Sequence, residues 1–273
     1  MIGALGCWLL AAAGLAAPAG SGTPAAEPEP TAQQLLDDVV AQLPQEPLDI
    51  VGDMILRKRH GIVLSEFRFR MELKWGAQPA WARYTIQDAF GHELDRLIVK
   101  RDRSGTGTFT YATGEGMTNA PLPDLSRAIR DTDMSWMDLT LSFLWWKGGE
   151  IKDRDSVKGR DCYVVEVPAP KGQGGQYAAV RLWIDCQLHL LMQAEGLNSS
   201  GQRVRILWVR SIRKINERWM IKDLEVQADP AHRTRIIIRE VNGEKTGPAE
   251  ASDTTDVVTP TPVETPAIEP VKP

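Results

Sequence analysis

The sequence predicts a mainly β (α+β) fold, a single curved antiparallel sheet of about eleven strands accompanied by two or three helices. Three observations predict it. Apolar and charged residues alternate with a period of two, most plainly in Phe67-Arg68-Phe69-Arg70-Met71-Glu72-Leu73-Lys74-Trp75, the pattern of a strand with one dry and one wet face. Short turn signals at Gly61, Gly76 to Pro79, Gly91 and Ser104-Gly105 separate such runs, and short links imply antiparallel neighbours. The alternation is broken in the middle of the chain by a helix-like stretch, Ser135 to Trp146.

The two ends stand apart from this pattern. Residues 2 to 17 form an apolar run of signal-peptide length, and Ala17-Pro18-Ala19 is a small-x-small site, so residues 1–19 are expected to be a signal peptide and 20–30 a linker. The run is too short for a comfortable membrane span. From Glu244 the chain is rich in Pro, Thr and acids, and 244–273 are expected to form a disordered tail with too little apolar content to offset the entropy of ordering it. The domain proper is then 31–243.

Charge follows this division. The whole chain holds 32 Lys and Arg against 36 Asp and Glu, a net charge of -4. Removing Lys245 and Lys272, and with them Glu27, Glu29 and six tail acids, leaves 30 against 28, so the domain is about +2. Its basic residues alternate with acids instead of clustering, which argues against nucleic acid as a partner.

The domain opens with Thr31 to Leu43, where Leu35, Leu36, Val39, Val40 and Leu43 recur at helical spacing behind Thr31 as N-cap. Strands are expected around 48–59, 67–75, 80–88, 92–102 and 106–112, and again over 161–167, 177–185, 188–196, 203–214, 219–228 and 234–241. Between the two sets, Ser135 with Asp138 reads as a capping box and Gly148-Gly149 as a stop, predicting one helix over Ser135 to Trp146. On it Met137, Leu141, Leu144 and Trp145 make one stripe, and Trp136, Leu139, Phe143 and Trp146 a second, roughly opposite. Such a helix is either a core helix between two layers or a lid presenting an apolar face to a ligand.

No catalytic chemistry stands out. His60, His92, His189 and His232 are scattered without metal-ligand spacing, and no G-x-S-x-G, phosphate loop or H-E-x-x-H occurs. The expectation is a protein that is not an enzyme and has no metal or cofactor. Cys162 and Cys186 form either a cross-strand disulfide or two separate buried thiols; a register with Val167 near Ala178 puts Cys162 opposite residue 183 or so. About eleven one-faced strands and so few helices leave either a sheet curled on its own side chains or an apolar cavity, with Phe67, Phe69, Met71, Leu73 and Trp75 filling the core or lining the void.

The succession Asp131 to Leu139, Val157-Lys-Gly-Arg-Asp-Cys-Tyr-Val-Val-Glu-Val167, Val180-Arg-Leu-Trp-Ile-Asp185, Leu191-Met-Gln-Ala-Glu195, Trp219 to Val226 and Thr234 to Val241 resembles the outer-membrane lipoprotein-sorting proteins, the LolA/LolB-like carriers, in a divergent bacterial branch. The double Trp after Phe143 and the acidic tail depart from the simplest members. The resemblance implies that the sheet forms an incomplete β-barrel closed by the two or three helices, with an apolar cavity for the acyl chains of lipoproteins or other lipids, a periplasmic location, and inner- or outer-membrane transport components as partners. On that reading the stretch carrying Trp136, Met137, Leu139, Leu141, Phe143, Leu144, Trp145 and Trp146 is a lid. The alternative is an envelope scaffold whose core is filled and which carries no lipid. An outer-membrane barrel fits less well, because of the polar tail, the helical middle and the lack of aromatic girdles.

Overall fold

Two antiparallel meanders meet along their first and last long strands, and this junction sets the architecture. The computed structural model describes residues 29–58, 60–215 and 218–246. The expected signal peptide, nearly all of the linker and the tail from 247 onward lie outside the described residues. The domain opens with α1 (Ala32–Ala41), followed by β1 (Leu48–Lys58), β2 (Val63–Lys74), β3 (Ala80–Gln87), β4 (Glu93–Arg101), β5 (Gly107–Thr113) and β6 (Thr118–Ala120). After a helical middle come β7 (Glu150–Val157), β8 (Arg160–Pro168), β9 (Ala179–Asp185), β10 (Leu191–Leu197), β11 (Arg203–Ile215), β12 (Arg218–Gln227), β13 (His232–Val241) and β14 (Glu244–Lys245).

The strand order is β6-β5-β4-β3-β2-β1-β13-β12-β11-β10-β9-β8-β7, with β14 paired to β13, and every pairing is antiparallel. β6 and β7 are the two free edges, so the curved sheet stays open. Consecutive in sequence, they stand at opposite ends of the strand order, and the connection between them has to cross the sheet. That connection, residues 121–149, lies over the concave face, where it shares one apolar core with α1 and with strands of both meanders.

Among the described residues fourteen strands replace the expected eleven. The three additional ones are β6, β7 and β14, two of them only two or three residues long. β7 escapes sequence reading because Glu-Ile-Lys-Asp-Arg-Asp-Ser-Val has no apolar alternation; as an exposed edge it has little to bury, and its charges blunt the edge against further pairing. β14 shows that the domain runs past residue 243: Glu244 and Lys245 pair with Val241 and Glu240. Thr246 is buried, its amide and hydroxyl donating to Arg239 O and Ile238 O at 2.8 and 2.9 Å.

Local chemistry explains the elements that were expected. Thr31 caps α1 in a reciprocal box with Gln34, and the helix buries Ala32, Leu35, Leu36 and Val39 against the sheet. On β2 the odd positions face the core and the even ones solvent, where Arg70 pairs with Asp49 at 2.7 Å and Glu72 with Arg83 at 3.0 Å. Phe69 is fully buried over Gly52, its partner on β1, where the β1–β13 ladder shifts register between Val51 and Gly52. A Cβ on Gly52 would stand 2.4 Å from the Phe69 ring, so only glycine lets this aromatic lie flat on the neighbouring strand.

The expected twelve-residue helix over Ser135–Trp146 is corrected by the structure. The capping box is present, Ser135 with Asp138, but α2 spans only Trp136–Leu139. The hydroxyl of Thr140 turns back onto Trp136 O at 2.8 Å, Leu141 takes the left-handed conformation at φ 48°, and a short 3-10 turn follows over Ser142–Trp145. The reason lies in the two opposed stripes. A straight helix that is apolar all round needs two apolar layers, and the concave sheet offers one. Breaking the helix at Leu141 sends Trp136, Met137, Phe143, Leu144 and Trp146 into that same core, leaving Leu139, Leu141 and Trp145 half-buried.

Cys162 and Cys186 are both free. Cys162 lies opposite Asp185, and the amide of Cys186 bonds to Asp161 O, so the two cysteines are one position out of register. Neighbouring ladder positions alternate faces. Cys162 packs in a small apolar cluster with Val164, Trp183 and Met192, separate from the main core.

Candidate functional site

Three buried carboxylates tie the crossing segment to the sheet. Asp95 on β4 accepts from Arg130 and, at 2.6 Å, from Tyr111. Asp133 accepts from Thr234 of β13 at 3.1 Å and from the Ala228 amide at 3.0 Å, and it pairs with His232 at 3.1 Å. Asp138 of α2 meets Arg205 of β11 at 3.2 Å, and the same Arg205 nitrogen reaches Tyr177 Oη at 2.7 Å and Ser126 O at 2.9 Å. Burial pushes the Tyr177 phenol up, with Asp138 adding to it. For Arg205 burial favours the neutral form, but Asp138 and Tyr177 outweigh it and hold the guanidinium charged. The Tyr177 ring covers Gly196, where a Cβ would come within 2.4 Å of it.

The concave face between sheet and crossing segment is largely filled. An apolar cavity of about 130 Å³ remains there, lined by Phe69, Met71, Met134, Leu139, Leu141, Leu207, Ile236 and Ile238, with Asp138 and Lys222 at its border. A far larger space of about 800 Å³ opens between the β4–β5 turn and the connection that follows β8. It is therefore lined from both ends of the strand order, at the side where the sheet fails to close. Phe109, Leu122, Leu125, Met137, Trp145 and Trp146 supply its apolar wall, and Arg101, Asp124, Ser142 and Lys147 its polar one. A further cleft of about 260 Å³ lies on the other side of Trp145, shared between Trp75, Val40, Leu43 and Arg101.

The five aromatic and aliphatic residues expected to line one cavity are thereby distributed. Phe69 and Met71 border the small inner cavity, Trp75 the cleft beside Trp145 at 5.5 Å between rings, and Phe67 and Leu73 belong to the packed core. Of the expected lid residues, Met137, Trp145 and Trp146 face the 800 Å³ cleft, Leu144 the one beside it, and Leu139 and Leu141 the inner cavity. Trp136 and Phe143 are core; Trp136 packs edge-on against Tyr111 at 6.2 Å.

Sequence reading missed Arg101. Its signal is nonetheless in the alternation: on β4 the buried positions are Asp95, Leu97, Val99 and Arg101, so a cation occupies an inward-facing place. It is 5% exposed, stacks over Trp145 at 4.0 Å, and donates to Ser142 Oγ at 3.1 Å and Gly105 O at 3.2 Å. Burial lowers its pKa from 12.5 to about 10, and Tyr84 opposes that only in part. Among the described residues no group of three His, Cys, Asp or Glu side chains is placed to hold a metal ion, and no helix is long and apolar enough to cross a membrane.

Comparison with solved structures shows the same open antiparallel fold in other proteins. A DUF1329 family protein from Desulfovibrio piger superposes with a TM-score of 0.65 at 16% identity, covering 79% of this chain and 92% of that one. A domain described as an outer membrane lipoprotein-sorting protein, from Vibrio parahaemolyticus, gives 0.65 at 12% identity over 80% and 94%. A LolA superfamily protein from Nitrosomonas europaea gives 0.62 at 14% identity over 81% and 96%. A family model described as "Uncharacterized protein" matches residues 119–251. No curated protein matches the chain.

Proposed function

We propose that this protein is a non-enzymatic periplasmic carrier, exported through residues 1–19, that binds the acyl chains of lipoproteins or of another lipid. The observation that carries the reading is the cleft of about 800 Å³ at the open side of a LolA-like barrel. Ligand sites are typically about 300–1,000 Å³ and mostly apolar, a range this cleft meets and the inner cavity of about 130 Å³ does not. Burial of an acyl chain gains about 0.8 kcal/mol per methylene, so a partly covered cleft holds a chain without outcompeting the membrane that must receive it. The lid role moves accordingly, from a free helix to the 3-10 turn over Ser142–Trp145 that walls the cleft. A carrier also has to meet a membrane or transport component. Phe90 at the β3–β4 turn, Ile62 at the β1–β2 turn and Val63 and Leu64 at the start of β2 are exposed apolar side chains at the same end of the sheet.

Purification without detergent, followed by native mass spectrometry, lipid extraction and titration with a fluorescent fatty acid, tests the proposal. A co-purified lipid or saturable uptake is expected. Absence of both overturns it in favour of the second reading, an envelope scaffold without cargo. One observation favours that second reading: the concave face itself is filled by Trp136, Phe143, Leu144 and Trp146.

A further inference from the structure

The carrier reading leaves open what kind of lipid head the cleft accepts, and Arg101 bears on it. Its guanidinium offers five donors, yet its described partners are one hydroxyl, one carbonyl and two aromatic rings, Trp145 at 4.0 Å and Phe109 at 5.9 Å. Its Nε is buried without a partner, and no carboxylate lies within ion-pair distance of it among the described residues. Arg205, the other buried arginine, likewise has a buried Nε without a partner but is paired with Asp138. Burying an unpaired charge costs several kcal/mol, so a chain keeps one where an anion arrives to pair with it.

The surroundings are built to keep that place open. Gly107 faces Arg101 across the ladder, and a Cβ there would stand 2.9 Å from its Nη1. Gly105 leaves the same room for Trp145, at 3.0 Å. Lys147, largely exposed, adds a second cation to the rim, its nearest carboxylate, Asp37, being 4.0 Å away. Asp124 is the acid in the wall, and it is engaged by the amide and hydroxyl of Ser126.

We propose that the 800 Å³ cleft takes an anionic amphiphile, its carboxylate or phosphate head at Arg101 and its apolar part along Phe109, Leu122, Leu125 and Trp146. This rests on the carrier reading and narrows it from any acyl chain to lipids with an acidic head. Guanidinium suits both heads because its planar fork matches two oxygens at once.

The test compares oleate, oleyl alcohol, dioleoyl phosphatidylglycerol, dioleoylglycerol and inorganic phosphate as competitors of a fluorescent fatty acid on the full chain. Oleate is expected to bind at least tenfold more tightly than oleyl alcohol, and phosphatidylglycerol than dioleoylglycerol. Arg101→Met should abolish that preference, leave the neutral lipids within twofold, and melt at or above the wild-type temperature, since it removes an unpaired buried charge. Arg101→Gln, which keeps a donor, guards against a packing defect peculiar to Met. Competition by phosphate alone identifies the free anion as the ligand and overturns the amphiphile; tight oleate or phosphatidylglycerol with no phosphate competition identifies the lipid head. Equal binding of acidic and neutral lipids overturns the head-group assignment and spares the carrier reading. Binding of none of the lipids overturns both.

Discussion

Arg205 Nη1 lies 3.2 Å from Asp138 Oδ2 with each side chain only 6% exposed, and this ion pair fastens the crossing segment to the middle of the second meander. It explains why α2 cannot swing out as a simple lid. Opening it would strand two charges and the Tyr177 hydroxyl in an apolar core.

Replacing Arg205 by Met should therefore destabilise the fold by about 3–5 kcal/mol, because Asp138 loses its counter-charge while staying buried. Urea unfolding monitored by circular dichroism measures it. Adding Asp138→Leu to Arg205→Met should recover part of the loss; a single-variant loss below about 1 kcal/mol would mean the pair does not clamp the segment.

Gly52→Ala places a Cβ 2.4 Å from both the Phe69 ring and the Ile237 carbonyl oxygen. The expected cost is about 1–3 kcal/mol from overpacking. Phe69→Leu in the same chain should relieve the ring clash and return some of it, while Phe69→Leu alone should lose stability; both are read from denaturant midpoints.

Cys162 should resist alkylation while the chain is folded. Burial raises its thiol from 9.0 to about 12, so at pH 9 the thiolate fraction is on the order of 0.001, against about half in the unfolded chain. A thiol pKa raised by folding contributes stability that is whole below pH 9 and lost as pH climbs toward 12. Iodoacetamide labelling followed by peptide mass spectrometry should find Cys186, the more exposed of the two, modified first. Equal rates for the two thiols would contradict the buried placement of Cys162.

Chains ending after Gly243 and after Thr246 differ only in β14 and the buried threonine beyond it. The shorter one leaves Lys222 Nζ without the Thr246 carbonyl it reaches at 3.1 Å, and it exposes the Ile238 carbonyl. A loss of about 1–3 kcal/mol is expected relative to the longer chain, by thermal or urea unfolding. Identical stabilities would place the end of the domain at Gly243.

Much of the sheet is legible one residue at a time. The Phe67 to Trp75 alternation specifies which face of β2 is dry, and the Thr31 and Ser135 caps mark where helices begin, because such signals depend on neighbours within a turn or two of chain. Polar edges defeat the same reading: β7 needs no buried face, so no pattern marks it. Helix ends fail for another reason. Nothing local to Thr140-Leu141 forbids a helix from running on; what stops it is the shortage of a second apolar layer.

By itself the sequence determined a mainly β, open antiparallel fold, its turns, its capped helix starts and the inward set of side chains, since period and turn chemistry act locally. Only the tertiary structure decided that β1 and β13 pair, which sends residues 121–149 across the concave face and fills it. It likewise decided that the larger space lies at the unclosed side of the sheet with Arg101 buried in its wall, and that Asp138 is buried beside the inner cavity and paired with Arg205. Those are consequences of contacts between residues far apart in the chain, for which no local period exists.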